Sequence, residues 1–206
     1  SRAADYSASM GWDLETAPEA EGIKVMQSDG PERDIVGSTT GNLALSGTAG
    51  SDGVLIPGNA HFSENTVNNG DVTDATGAFL SDSDTGTGTR VYITWTKPRS
   101  VNKVVVYHSS PAHQVGELNI TADFQIQTLV KGGDATKDDD WITRDARVDN
   151  RKVVTAHRFP RVITQGVRIF VTRANRVYKL NHITAPDPYP GSLDTAIVEM
   201  QAYDEP

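Results

Sequence analysis

Residues 91–96 read Val-Tyr-Ile-Thr-Trp-Thr, an unbroken alternation of apolar and polar side chains. A period of two belongs to a strand with one face buried and the other wet. Comparable runs recur at 101–108, 122–130, 141–148, 153–159, 165–172 and 196–203, with turn residues between them. Pro98, Pro111, Pro160 and the Pro-Asp-Pro-Tyr-Pro-Gly run at 186–191 read as strand ends and loops, because proline cannot donate to a ladder. Helical periodicity is nearly absent and no repeat of 20–50 residues occurs. The expected fold is therefore all-β: an antiparallel β-sandwich of jelly-roll type.

Upstream of that strand lies a turn dense in oxygen donors, Asn68-Asn69-Gly70-Asp71-Val72-Thr73-Asp74. Carboxylates, amides and a glycine in close succession are how a chain folds back around a hard cation such as calcium. Residues 1–40 are weakly patterned and read as an extension or linker, free or packed on the domain; residues 41–206 form the domain itself. The chain begins at Ser1 without a leader, as expected of a processed or excised fragment.

A formal charge of −8 works against a nucleic-acid partner, whose affinity rests on lysine and arginine neutralising phosphate. The basic residues Arg144, Arg147, Arg151, Lys152, Arg158 and Arg161 follow one another along one segment and read as solvated strand faces. No apolar stretch is long enough to cross a membrane. Cysteine is absent, which removes disulfides, thiolate catalysis and cysteine metal sites. The five histidines (61, 108, 113, 157, 182) show no i,i+4 pair or His-Glu-x-x-His motif, and no nucleotide-binding or nucleophile-elbow fingerprint is present. Asp84-Thr85-Gly86 has the letters of an aspartic-protease triplet, but Ser81-Asp82-Ser83 precedes it where an apolar strand is required. Asp138-Asp139-Asp140 reads as an acidic turn ahead of a strand that starts with a buried Trp141.

Five stretches in order resemble the discoidin, or coagulation factor 5/8 type C, family, which overlaps the galactose-binding-like carbohydrate-binding modules. They are Asn-Leu-Ala-Leu-Ser-Gly-Thr-Ala at 42–49 (the family's opening strand), the turn at 65–79, the strand pair at 90–109, the segment 123–144 ending in Trp-Ile-Thr-Arg, and the closing pair 166–175 and 196–203. Asn69 stands where the family commonly has Asp, Asp74 where it has Thr, and Phe79 near its Trp; the cysteines of the vertebrate branch are missing, as in the bacterial type. The resemblance implies a structural calcium held by the carbonyls of Thr66, Asp71 and Val198, the side chains of Asn69 and Asp74, and the Glu199 carboxylate. Glu199 supports this independently: it interrupts the apolar run Ala196-Ile197-Val198-Glu199-Met200, where a carboxylate needs a partner or a metal.

Sugar sites combine an aromatic plate with a few placed polar groups. Two loops have these ingredients, 108–114 and 173–189, and they nominate His108, His113, Arg176, Tyr178, Asn181, His182 and Tyr189 as glycan contacts. The expectation is a non-catalytic carbohydrate-binding module, a monomer within a larger secreted or cell-surface polysaccharide-degrading protein. Its partner would be a glycan or polysaccharide, with no nucleic acid and no membrane insertion. The rival reading is an adhesion domain of the same fold that grips a cell-surface protein or glycoconjugate.

Overall fold

The computed structural model describes residues 41–52, 63–73, 77–80, 88–108, 120–175, 178–180, 183–185 and 196–206. Its strands are β1 (Thr48–Ser51), β2 (Phe79–Leu80), β3 (Thr89–Tyr107), β4 (Ile120–Leu129), β5 (Trp141–Arg147), β6 (Val154–Asn175), β7 (Tyr178–Leu180), β8 (Ile183–Ala185), β9 (Ala196–Ile197) and β10 (Glu199–Tyr203). All pairings are antiparallel. The main sheet runs β1-β3-β6-β4-β5, with β10 also on β3, and β2-β9 and β7-β8 form two small ribbons.

Two pairs of expected strands are single strands in the structure. Residues 91–96 and 101–108 join as β3, and 153–159 and 165–172 join as β6. Pro98 and Pro160 do not end these strands. They fall in gaps of the β3–β6 register, between Thr94 and Arg99 and opposite the Val101–Lys103 shift, where no ladder donor is required. The second shift also changes side-chain parity. Val91, Ile93, Trp95 and Val101 face the main core, but beyond the bulge it is Val104 and Val106 that do so.

Folding back follows from a distance. Phe124 of β4 registers with Val171 of β6, yet its ring lies 5.4 Å from His157, fourteen residues earlier on the same strand. A straight strand would separate those positions by about 46 Å at ~3.3 Å per residue. The bulged middle of β3 and β6 therefore bends, and the second half of β3, paired with the first half of β6, packs over the remainder of the two strands as the second layer of a sandwich. β1 occupies the free edge of β3 before the bend and β10 the same edge after it.

Between the layers lie Val91, Ile93, Phe124, Ile126, Val167, Ile169, Val171, Met200 and Phe79, all 1 % exposed or less. A smaller cluster, Val105, Tyr107, Val154, Ala156, Val198 and Tyr203, sits on the other side of the second layer against Val72 and Ala78. The opening stretch departs from expectation. Leu43–Ser46 is a 3-10 turn, because the Asn42 side chain accepts the Ala44 N–H and caps it, and the strand begins only at Thr48. Residues 1–40 and the Asp84-Thr85-Gly86 triplet lie outside the described residues. Asp138–Asp140 is the expected acidic turn, and Trp141, 6 % exposed, starts the strand after it.

Candidate functional site

Glu199 is the centre of the first polar site. It lies at the head of β10, 0 % exposed, with its carboxylate over the 68–71 turn. The Gly70 N–H donates to both carboxylate oxygens at 3.2 and 3.3 Å, and the Asn42 amide approaches one of them at 3.5 Å. Gly70 has a φ of 87°, a left-handed conformation that side chains other than glycine rarely adopt. That conformation turns its N–H toward the carboxylate.

Further bonds fasten the turn in place. The Met200 N–H donates to the Val67 carbonyl at 2.6 Å. The Asn68 amide donates to the Ala44 and Gly47 carbonyls at 2.9 and 3.0 Å. Asn42 Oδ1 accepts the Ala202 N–H at 3.1 Å. Asn69 Oδ1 takes the Asp71 N–H, and Asp71 Oδ1 takes the Thr73 N–H and hydroxyl, two successive side-chain turns.

Burial drives the Glu199 carboxyl up to about 8. The N–H groups of Gly70 and Asn69 offset part of that, while the Asp71 charge adds to it. A desolvated carboxylate with only amide donors and a second acid nearby is a set of hard oxygens short of positive charge. The residues present therefore fit a calcium ion chemically. Of the expected ligands, Thr66, Asn69, Asp71, Val198 and Glu199 belong to the turn and strand that these bonds join, and Asp74 lies outside the described residues. Among the described residues no group of three histidine or acidic side chains is placed to hold a metal ion, so an ion here needs backbone and amide oxygens besides Glu199.

The glycan expectations fare differently. His108 is not at the surface: it is 0 % exposed, its ring 5.0 Å from that of Phe124, so as placed it offers a ligand no exposed edge. The bulge explains this, since it sets even-numbered residues of late β3 toward the core. His113, Arg176, Asn181, His182 and Tyr189 lie outside the described residues; Tyr178 begins β7, and its side chain lies outside them too. The described elements do show where those loops start. The Asn150 N–H and side chain reach the Ala122 and Thr121 carbonyls, the His108 N–H reaches the Val153 carbonyl, and Arg173 pairs with Asp123 and Asp149. The end of β3, the start of β4, the β5–β6 turn and the end of β6 thus meet at one place.

Three polar assemblies escaped the sequence. His108 Nε2 and His157 Nε2 both lie against Thr155 Oγ1, at 2.9 and 2.8 Å, and His157 Nδ1 meets Asp145 Oδ2 at 2.7 Å. This acid–imidazole–hydroxyl order resembles a hydrolytic triad, but Thr155 is 5 % exposed and engaged on both sides. No substrate carbonyl has room there. On the outer sheet face, Asp138 holds Arg90 through two bonds of 2.7 and 2.6 Å and the buried Arg168 at 2.9 Å, and Arg168 stacks 4.7 Å from the Trp141 ring centroid. Near the end of the sequence, the fully buried Lys103 pairs with Glu205 at 3.0 Å, and Glu205 also binds Arg158. Arg147, expected to be solvated, is 10 % exposed and pairs with Asp145.

No family model and no curated protein matches the chain. Solved structures do. The crystal structure of SpGH29 matches over 84 % of this chain and 30 % of its own, with 14 % identity and a TM-score of 0.58. The chain thus spans under a third of that protein's length. The family 32 carbohydrate-binding module from Streptococcus pneumoniae EndoD matches over 80 % of this chain and all of its own, with 19 % identity and a TM-score of 0.56. Chitosan-binding module 2 of the chitosanase/glucanase from Paenibacillus sp. IK-5, solved with chitotriose, matches over 79 % of this chain and all of its own, with 14 % identity and a TM-score of 0.55. The fold is that of these carbohydrate-binding β-sandwiches.

Proposed function

We propose that this chain is a non-catalytic carbohydrate-binding module with a structural calcium, working outside the cell or at its surface within a polysaccharide-degrading protein. The observation that carries the reading is coverage: about four-fifths of the chain corresponds to the whole length of modules that bind sugars, one of them in complex with chitotriose. Among the described residues, the one acid–histidine–hydroxyl alignment is buried, which favours binding over turnover.

Glycan contact falls to the loops that leave the meeting point of β3, β4 and β6, with His113, Arg176, Tyr178, Asn181, His182 and Tyr189 as the residues to test. A rigid sandwich supports such loops at little cost to its core. Thr66, Asn69, Asp71, Asp74, Val198 and Glu199 would hold calcium, whose charge would neutralise the buried carboxylate and tie the 66–74 turn to β10. Titration of chito-oligosaccharides and a wider glycan panel into the protein tests the binding reading. Saturable binding without hydrolysis, weakened by Arg176→Ala or Tyr178→Ala, is the expected result; a blank panel or hydrolysis overturns it.

A further inference from the structure

In the histidine–threonine chain between the layers, two arrangements of the protons make both hydrogen bonds to Thr155 with the Thr155 proton used in one of them. An ionised Asp145 accepts only, so His157 Nδ1 carries a proton toward it at 2.7 Å. Thr155 has a single hydroxyl proton and two imidazole nitrogens beside it, His157 Nε2 and His108 Nε2. With His157 neutral, its bare Nε2 accepts the Thr155 proton. Thr155 then accepts from His108 Nε2–H, and His108 Nδ1 is a bare acceptor. With His157 charged, Nε2–H donates to Thr155, the hydroxyl turns to donate to His108 Nε2, and His108 carries its proton on Nδ1. That Nδ1 is the one buried side-chain atom among the described residues that has no hydrogen-bond partner.

We propose that Asp145, His157, Thr155 and His108 form a proton relay in which charging His157 reverses each hydrogen bond beyond it and converts His108 Nδ1 from acceptor to donor. The net change is one proton taken from water at His108 Nδ1: His108 passes its Nε2 proton to Thr155, Thr155 passes its own to His157 Nε2, and the charge ends on His157. His108 itself stays neutral throughout: burial, then the neighbouring charge of His157, pushes it down to about 3.

The surroundings contain few competing groups. β5 contributes Asp145 and Arg147, whose guanidinium lies 3.4 Å from Asp145 Oδ2. His108 follows the end of β3, and β4 contributes the uncharged Phe124 ring packed against both imidazoles. Burial raises the Asp145 carboxyl, but the hydrogen bond and charge of His157, with Arg147, outweigh it and hold the group below the usual range. Asp145 therefore stays ionised as His157 titrates. The relay sits at the end of β3, beside β4 and on the first half of β6, so a pH change reverses the hydrogen bonding buried at that end of the sheet.

Long-range proton–nitrogen correlation NMR on histidine-labelled protein tests this, because it distinguishes both tautomers and the cation. As pH falls through the titration of His157, His108 should switch from Nε2–H to Nδ1–H with the same midpoint while remaining uncharged. Thr155→Val should abolish the switch but leave His157 titrating, and Thr155→Ser should restore it. If Thr155→Val does not fold, the wild-type titration decides alone. A single His108 tautomer across that range, a His157 that never changes charge in the folded protein, or both rings charging together overturns the relay.

Discussion

Replacing Glu199 by glutamine separates what the fold needs from what a metal needs. At pH 7 without metal, the buried carboxyl keeps its proton, since burial drives it up to about 8. In the unfolded chain it ionises with an ordinary value near 4.5. Holding it neutral at pH 7 therefore costs about 3 kcal/mol, at ~1.4 kcal/mol per pH unit over some 2.5 units. Glutamine is neutral in both states and can still accept the Gly70 N–H, but it adds a donor where Asn69 and Gly70 also donate, worth roughly 1 kcal/mol against it. The net expectation in EDTA is that Glu199→Gln stabilises the protein by about 2 kcal/mol, or some 4–8 °C in Tm. Calcium should raise the Tm of the wild type and leave that of the variant unchanged. Calorimetry in buffers of different ionisation enthalpy should find about 0.9 proton released per bound ion at pH 7 and about 0.1 at pH 9. A variant that is less stable in EDTA, or calcium that stabilises both proteins equally with no proton released, would refute the reasoning.

Two other substitutions probe buried charge. Glu205→Gln strips Lys103, which is 0 % exposed, of its carboxylate; it should cost about 3–5 kcal/mol in denaturant titration, and adding Lys103→Met should recover most of that. Asp138→Asn removes the anion that Arg90 and the buried Arg168 share; because Asp138 is half exposed the cost should be nearer 1–2 kcal/mol, accompanied by a change in Trp141 fluorescence.

The layers of this fold could be read from alternation because Val91, Ile93 and Trp95 carry a period that only a half-buried strand explains. The bends could not. Val104-Val105-Val106 is apolar on every side, so nothing in its letters marks the parity change that a bulge at Val101–Lys103 imposes. The same bulge moved His108 from an apparent loop position into the core. Glu199 stood out because a carboxylate interrupts an apolar run, whereas its neighbour Asn42 looked like the start of a strand and is a cap that also reaches β10. Lys103 gave no signal, because its partner Glu205 lies 102 residues away. Features set by local period were legible, and those set by register or by distant partners were not.

The two buried groups at the late end of β3 act on stability in opposite directions. Glu199 pairs in register with Tyr107, and His108 follows it. His108 is pushed down from 6.5 to about 3, so between those values the unfolded chain binds a proton that the folded one refuses, and stability is lost as pH falls. Glu199, pushed up from 4.5 to about 8, does the reverse without metal: the folded chain keeps a proton the unfolded one releases, and stability is lost as pH rises. Their sum in EDTA is a shallow plateau centred at about pH 5.5, the mean of the two ordinary values, falling by ~1.4 kcal/mol per unit toward pH 8. Saturating calcium removes the Glu199 contribution, so stability should then climb to about pH 6.5 and stay level. The acids held below their usual range, Asp123, Asp134, Asp138, Asp145 and Glu205, weaken the fold only on the acid side, in the same sense as His108. The part of the alkaline limb that calcium removes is therefore diagnostic of Glu199. Thermal melts from pH 4 to 8.5 with EDTA and with calcium should diverge above about pH 4.5, where the Glu199 contribution sets in; superimposable curves would mean that Glu199 is not the group that calcium meets.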